Sequence, residues 1–177
     1  NLNQPEDKNV VLRAGDHLFI DAITDYKKDI VSLYGAVRHE GDFSWREGMR
    51  ISDIISNRDK LDPDADLNLA LLIREVDKTA DIEVLIFGIG NIMEDAFAAD
   101  NIKLQSRDRI IVLSDYQNRA EVIAPFVDNL ERQASVNNLP KIVTSGGTVR
   151  FPGTYPLSEG MTVQDLVKLS GGLTESA

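Results

Sequence analysis

The chain contains no cysteine. Disulfides, thiolate nucleophiles and cysteine-held metals are therefore excluded, and its redox compartment is left open. Histidine is nearly as scarce. His17 and His39 are the only two, and neither sits in a spacing such as H-x-x-x-H that would hold a metal. Aromatic residues make up 6% of the chain, with a single tryptophan, Trp45. Positive charge is short as well: 19 Lys and Arg stand against 29 Asp and Glu, for a net charge of −10. Such a balance argues against sequence-independent nucleic-acid binding, which needs basic clusters to displace counterions. It argues equally against docking on an anionic lipid surface. No long hydrophobic run is present: the stretch from Ile82 to Ile92 is broken by Glu83, Gly88, Gly90 and Asn91 and is too short to span a bilayer. No signal peptide is recognisable, and the arbitrary-looking ends at Asn1 and Ala177 suggest a piece of a longer protein.

What is present is a repeat. Residues 35–55 read GAVRHEGDFSWREGMRISDII, and residues 147–167 read GTVRFPGTYPLSEGMTVQDLV. The offset is 112 without a gap, and eight of the 21 positions are identical: Gly35, Val37, Arg38, Gly41, Glu47, Gly48, Met49 and Asp53 recur as Gly147, Val149, Arg150, Gly153, Glu159, Gly160, Met161 and Asp165. An ungapped repeat means that one structural unit is used twice. A shorter echo lies at offset 92: Leu12, Asp16, Leu18 and Ile20 match Leu104, Asp108, Ile110 and Val112.

Within the unit, alternating residues 30–37 predict a strand, a turn at His39–Asp42 uses Gly41, and Phe43 and Trp45 lie on the return strand. Ile51, Ile54 and Ile55 then form the stripe of a short helix. The second copy has stronger helix signals. Thr162 suits the N-cap, Asp165 completes a capping-box variant, and Gly171-Gly172 suits a left-handed C-cap. Arg50 stands where Thr162 does, so the first helix should start more weakly. Between the copies, residues 67–76 and 82–89 predict a hairpin, 91–99 a short helix and 104–113 a strand. Residues 124–134 predict a helix with Pro125 at its first position and an Asp128–Arg132 pair. Hairpins combined with helices that cross a small sheet define an α+β class.

The run Val149-Arg150-Phe151-Pro152-Gly153-Thr154-Tyr155, the helix opening Gly160-Met161-Thr162-Val163-Gln164-Asp165 and the closing Gly171-Gly172-Leu173 resemble the SLBB family, the soluble-ligand-binding β-grasp domains. The first copy departs from that pattern at Glu40, where the family has proline, and it lacks the Gly-Gly. The resemblance implies tandem β-grasp modules with a helical spacer. Residues 1–29 would be the closing strand of a preceding module plus a linker, 30–114 a complete module, 115–141 the spacer, and 142–177 the front half of a second module. Tandem modules with this spacing resemble outer-membrane polysaccharide export proteins of Gram-negative bacteria. That resemblance implies a periplasmic, outer-membrane-associated setting in the full-length protein, with a capsule or exopolysaccharide, other export subunits and a homo-oligomer as partners, and no cofactor.

Candidate ligand contacts lie on the two hairpins: Arg38, His39 and Trp45 in the first copy, and Arg150, Phe151 and Tyr155 in the second. Aromatic faces stack on sugar rings, although a position that is apolar in both copies, as at Phe43/Tyr155 and Trp45/Leu157, also suits a core. The recurring arginines have the fork geometry for carboxylates of an acidic glycan, and they also lie within reach of the recurring Glu47 and Glu159 as structural pairs. Glu40, Asp42 and Glu47 invite comparison with a glycosidase pair, but Pro152 and Thr154 replace the first two in the second copy. No catalytic or metal-ligating set is expected. Gly88-Ile89-Gly90 lacks the third glycine of a dinucleotide loop, and Asp62, Asp64 and Asp66 lack the glycine and closing glutamate of a calcium loop. The reading is a non-catalytic module that touches glycan or neighbouring subunits; the alternatives are a purely structural oligomerisation domain of an envelope complex and, behind it, a polysaccharide-degrading enzyme.

Overall fold

The computed structural model describes residues 29–76, 81–135 and 138–174. Strands β1 (Ile30–Gly35) and β2 (Gly41–Ser44) form the first hairpin, followed by the single-turn helix α1 (Ile51–Ile54). A 3₁₀ turn, Arg58–Lys60, falls within the polar stretch that precedes the long strand β3 (Ala65–Glu75). Next come β4 (Ile82–Phe87), α2 (Ile89–Glu94), β5 (Arg109–Ser114) and α3 (Arg119–Arg132). The second hairpin, β6 (Ile142–Ser145) and β7 (Gly153–Pro156), leads to α4 (Val163–Leu169). The loop expected at 77–80 and the leading strand expected near residues 10–20 lie outside the described residues.

The first five strands make one mixed sheet in the order β2-β1-β5-β3-β4, in which β1 and β5 run parallel and every other neighbouring pair antiparallel. A sheet of this order with a helix across one face is the β-grasp arrangement, and the class is α+β as expected. Alternation along the strands explains how the sheet is buried on both sides. Ala70, Leu72, Ile110 and Val112 point into a core shared with Val31, Leu33, Ile51 and Ile54. Their neighbours Leu69, Leu71, Ile73, Ile111 and Leu113 point into a second core built with Ile123, Val127 and Leu130 of α3 and with Tyr155 and Leu169 of the second copy. This is why β3 and β5 read as unbroken apolar runs. The second hairpin-helix unit is thus docked on the spacer helix and the outer face of the first sheet.

The two copies share their register residue for residue. Ile30↔Ser44, Val31↔Phe43, Ser32↔Asp42 and Leu33↔Gly41 become, 112 positions on, Ile142↔Pro156, Val143↔Tyr155, Thr144↔Thr154 and Ser145↔Gly153. The correspondence continues past the hairpin. Val37 bridges Leu61 as Val149 bridges Leu173, and the N–H of Arg38 donates to the Lys60 carbonyl as that of Arg150 donates to Gly172. The first helix starts more weakly, as expected, and α1 has four residues against seven for α4. A guanidinium has no acceptor for the cap, so only Asp53 contributes, accepting from the Arg50 N–H at 2.8 Å. In α4 both halves are present, and Gly171 and Gly172 (φ +81 and +84) close it, the Gly172 N–H donating to the Val167 carbonyl.

The spacer helix departs from the expectation. It begins at Arg119, capped by the Asn118 side chain, and Pro125 lies inside it rather than at its start. Pro125 is exposed, so the turn it leaves without a donor faces water. Among the described residues Arg132 bonds the Asn129 side chain and makes no ion pair with Asp128. At the end of the helix the Gln133 amide clasps Ile82, accepting from its N–H at 2.9 Å and donating to its carbonyl at 2.7 Å. Among the described residues no helix is long and apolar enough to cross a membrane.

Candidate functional site

Two places bring together the features that a ligand-contacting module needs: the loops of the two hairpins and the seam between the copies. The first hairpin loop spans residues 36–40 and the second 146–152, and each has a left-handed glycine at its start, Gly35 and Gly147. A Cβ on Gly35 would lie 2.1 Å from the Val112 carbonyl oxygen, and the residue has φ +97. In the loop, Val37 is buried while Arg38 and His39 are exposed. Arg150 holds the corresponding exposed position, and its guanidinium donates to the Asp115 carbonyl at 3.2 Å. The structural pairs with Glu47 and Glu159 do not form among the described residues; the ion pair at the first helix start is Arg46–Asp53, at 3.7 Å. The reason is reach: each glutamate follows the return strand, away from the loop that carries the arginine.

The aromatic candidates separate. Trp45 is half-buried against the first core and donates its indole N–H to the Leu104 carbonyl at 2.9 Å, so it ties the hairpin to the β5 approach. Phe151 lies over Gly171, where a Cβ would meet its ring at 2.5 Å, and its N–H donates to the Ser170 carbonyl. Tyr155 is fully buried. Its hydroxyl donates to the Phe151 carbonyl, and burial pushes its phenol above the ordinary value, partly offset by the Ser170 hydroxyl and the Arg119 charge. As a surface for stacking sugars Tyr155 is therefore corrected to a core residue that shapes its loop from beneath. Its first-copy counterpart, Phe43, is the exposed one of the pair.

The seam is locked by a residue that the sequence analysis did not single out. Arg119, at the start of α3, is 2% exposed and meets four acceptors: Asp66 at 2.7 Å, Asp115 at 3.2 Å, the Ser114 carbonyl at 3.2 Å and the Lys168 carbonyl at 2.9 Å. It thereby joins β3, the end of β5 and the last turn of α4. A guanidinium suits this post because its planar fork serves several acceptors at once. Beside it, grooves flank the loop Ser158–Met161. One, of about 560 Å³, runs between Val84 and Leu85 of β4, Leu130 of α3, Lys141 and Leu157. The other is polar, with Asn68, Asn91, Asp100, Glu159 and Lys168 along it. Its Asp100 is already engaged, accepting from the Gly88 N–H and the Asn91 amide, both at 2.8 Å.

Carboxylates elsewhere are likewise committed to structure. Glu40 accepts from the Gly35 N–H and Asp42 from the Ser32 hydroxyl, both at 2.8 Å. Asp64 accepts from the Ser114 hydroxyl, and Asp66 is paired with Arg119. Among the described residues no cluster of three potential ligands could hold a metal ion.

The arrangement defines a β-grasp module followed by a second, identically registered hairpin-helix unit. Residues 142–177 match the family model of the SLBB domain. That match covers the second unit, and the shared register extends its geometry to residues 30–61. No curated protein matches the chain.

Proposed function

We propose that this chain is a non-catalytic module of a periplasmic polysaccharide export protein, associated with the outer membrane in the full-length molecule, that contacts an acidic glycan or a neighbouring subunit through its two hairpin loops. The observation that carries this reading is the reuse of one hairpin-helix geometry with an exposed arginine at the same point of each loop, in a chain whose second copy matches a ligand-binding domain family. Loops held on a rigid sheet present side chains without ordering them anew on each encounter. Two arginines so held can each take a carboxylate in bidentate fashion. The non-catalytic part of the reading is supported by the acids of the first hairpin: Glu40 and Asp42 hold their own backbone and strand in place.

An NMR titration of the chain with a uronic-acid oligosaccharide tests this. Shifts are expected at residues 36–40 and 148–152, weakened at least tenfold in affinity when Arg38→Ala and Arg150→Ala are combined. If the loops do not respond but their alteration changes the assembly state, the structural oligomerisation reading replaces this one. If the oligosaccharide is cleaved, both fail.

A further inference from the structure

The turn that follows β5 links the two hairpin loops. β1 and β5 run parallel, with Gly35 beside Val112, so the loop after β1 and the turn after β5 leave the same end of the sheet. Residues 60–64 tie them together. The Arg38 N–H donates to the Lys60 carbonyl at 3.0 Å and the Asp62 N–H to the Ala36 carbonyl at 3.1 Å, while the Asp115 N–H donates to the Asp64 carbonyl at 3.0 Å. The second loop reaches the same turn directly, through the Arg150 guanidinium on the Asp115 carbonyl.

Tyr116 stands on that turn and is 84% exposed. Unlike Trp45 and Tyr155, it belongs to neither core. Its backbone is nevertheless fixed: the Ser114 hydroxyl accepts the Tyr116 N–H at 3.0 Å and donates to the Asp64 carboxylate at 2.5 Å. The carbonyl that receives Arg150 belongs to the peptide bond leading into Tyr116, which sets that guanidinium within about 6 Å of the Tyr116 Cα. Beside the turn, a groove of about 370 Å³ runs from Asp115 past Asn68 to Lys168 and Gly171-Gly172. Arg150 borders it, since a Cβ on Gly171 would lie 3.3 Å from the Arg150 Cβ. Three acids at this end are engaged, Asp64 by Ser114, Asp115 by Arg119 and Glu40 by the Gly35 N–H. Arg38, Lys60 and Lys168 are exposed.

We infer that Arg38, Tyr116 and Arg150 form one continuous site for a uronic-acid glycan, with a pyranose ring stacked on Tyr116 and a carboxylate on each arginine. The inference rests on the reading of the loops as glycan contacts, and it joins two separate contacts into a single site. A tyrosine ring offers an apolar face to sugar C–H groups while its hydroxyl stays in water. Each guanidinium fork matches one carboxylate. Carboxylates on one polymer make the second capture intramolecular, which raises affinity without a further contact. The groove carries the glycan onward from Arg150, where the Asn68 amide and the Lys168 ammonium meet its hydroxyl and carboxylate oxygens.

Titration of the chain with an oligogalacturonate, followed by calorimetry and by NMR, tests this. One oligosaccharide per chain is expected, with the loops 36–40 and 146–152 saturating together. Tyr116→Ala should weaken binding about fivefold as read at both loops, whereas Tyr116→Phe, which keeps the stacking face, should bind like the unaltered chain. The ring is exposed, so the Tyr116→Ala chain should unfold at an unchanged temperature. Two oligosaccharides per chain with independent saturation of the loops, or loop shifts indifferent to Tyr116→Ala, overturn the single site while leaving the loops as glycan contacts. Silence at both loops overturns the two readings together.

Discussion

The guanidinium of Arg119 lies 2.7 Å from a carboxylate oxygen of Asp66, and both residues are buried although 53 positions separate them. The pair sits where the first sheet, the spacer helix and the last turn of α4 meet. Removing the cation leaves a buried carboxylate with the Asn68 N–H, 2.8 Å away, but no opposing charge. Arg119→Met should cost about 3–5 kcal/mol in urea unfolding. Adding Asp66→Asn to that variant should recover part of the loss, since the uncompensated charge goes with it. Equal stability of the single and double variants would show that Arg119 acts by packing alone.

At the start of α4, the Thr162 hydroxyl, and then its N–H, hold the Asp165 carboxyl below the ordinary value for an aspartate. A depressed native pKa means that the unfolded chain binds the proton more readily. This contribution is therefore fully present above the ordinary aspartate range and is lost as pH falls through the native value. Thr162→Val keeps the branched shape but removes the hydroxyl. It should cost about 1 kcal/mol and raise the Asp165 titration midpoint followed by carboxyl NMR.

Two glycines of the first hairpin-helix unit separate backbone strain from steric conflict. Gly48 has φ +85 with open space at its Cβ position, whereas Gly35 has φ +97 with the Val112 carbonyl in the way. Gly48→Ala should cost about 1–2 kcal/mol, the price of a left-handed residue. Gly35→Ala should cost clearly more, because it also pushes β5 from β1. Thermal unfolding of the two variants side by side checks the order.

The parts of the fold that were legible in the sequence are those encoded over short distances or by repetition. The 112-residue offset set both hairpins and both helices, and Thr162, Asp165, Gly171 and Gly172 marked the ends of α4 through side-chain and backbone chemistry that acts within one turn. The spacer helix was misread at its start because Pro125 is suited to a first turn, while the Asn118 cap seven residues earlier is an equally local but competing signal. Long-range partners left no trace. Nothing around Arg119 distinguishes it from the chain's other basic residues until Asp66 is brought to it by the sheet. Tyr155 and Phe43 share a register position, yet one is buried and the other exposed, because only the second hairpin has α3 laid against it. The contact that decides this is tertiary, and a repeat compared with itself cannot show it.

The clasp of Gln133 on Ile82 bears on the open edge of the first sheet. β4 is the outermost strand on its side of the sheet, and an outermost strand offers unpaired backbone groups on which a foreign chain can grow. By supplying one donor and one acceptor at the first residue of that strand, the Gln133 amide imitates a single residue of a neighbouring strand. A glutamine at the tail of a helix thus occupies one pairing position on an outermost strand, a duty separate from the contacts of the hairpin loops.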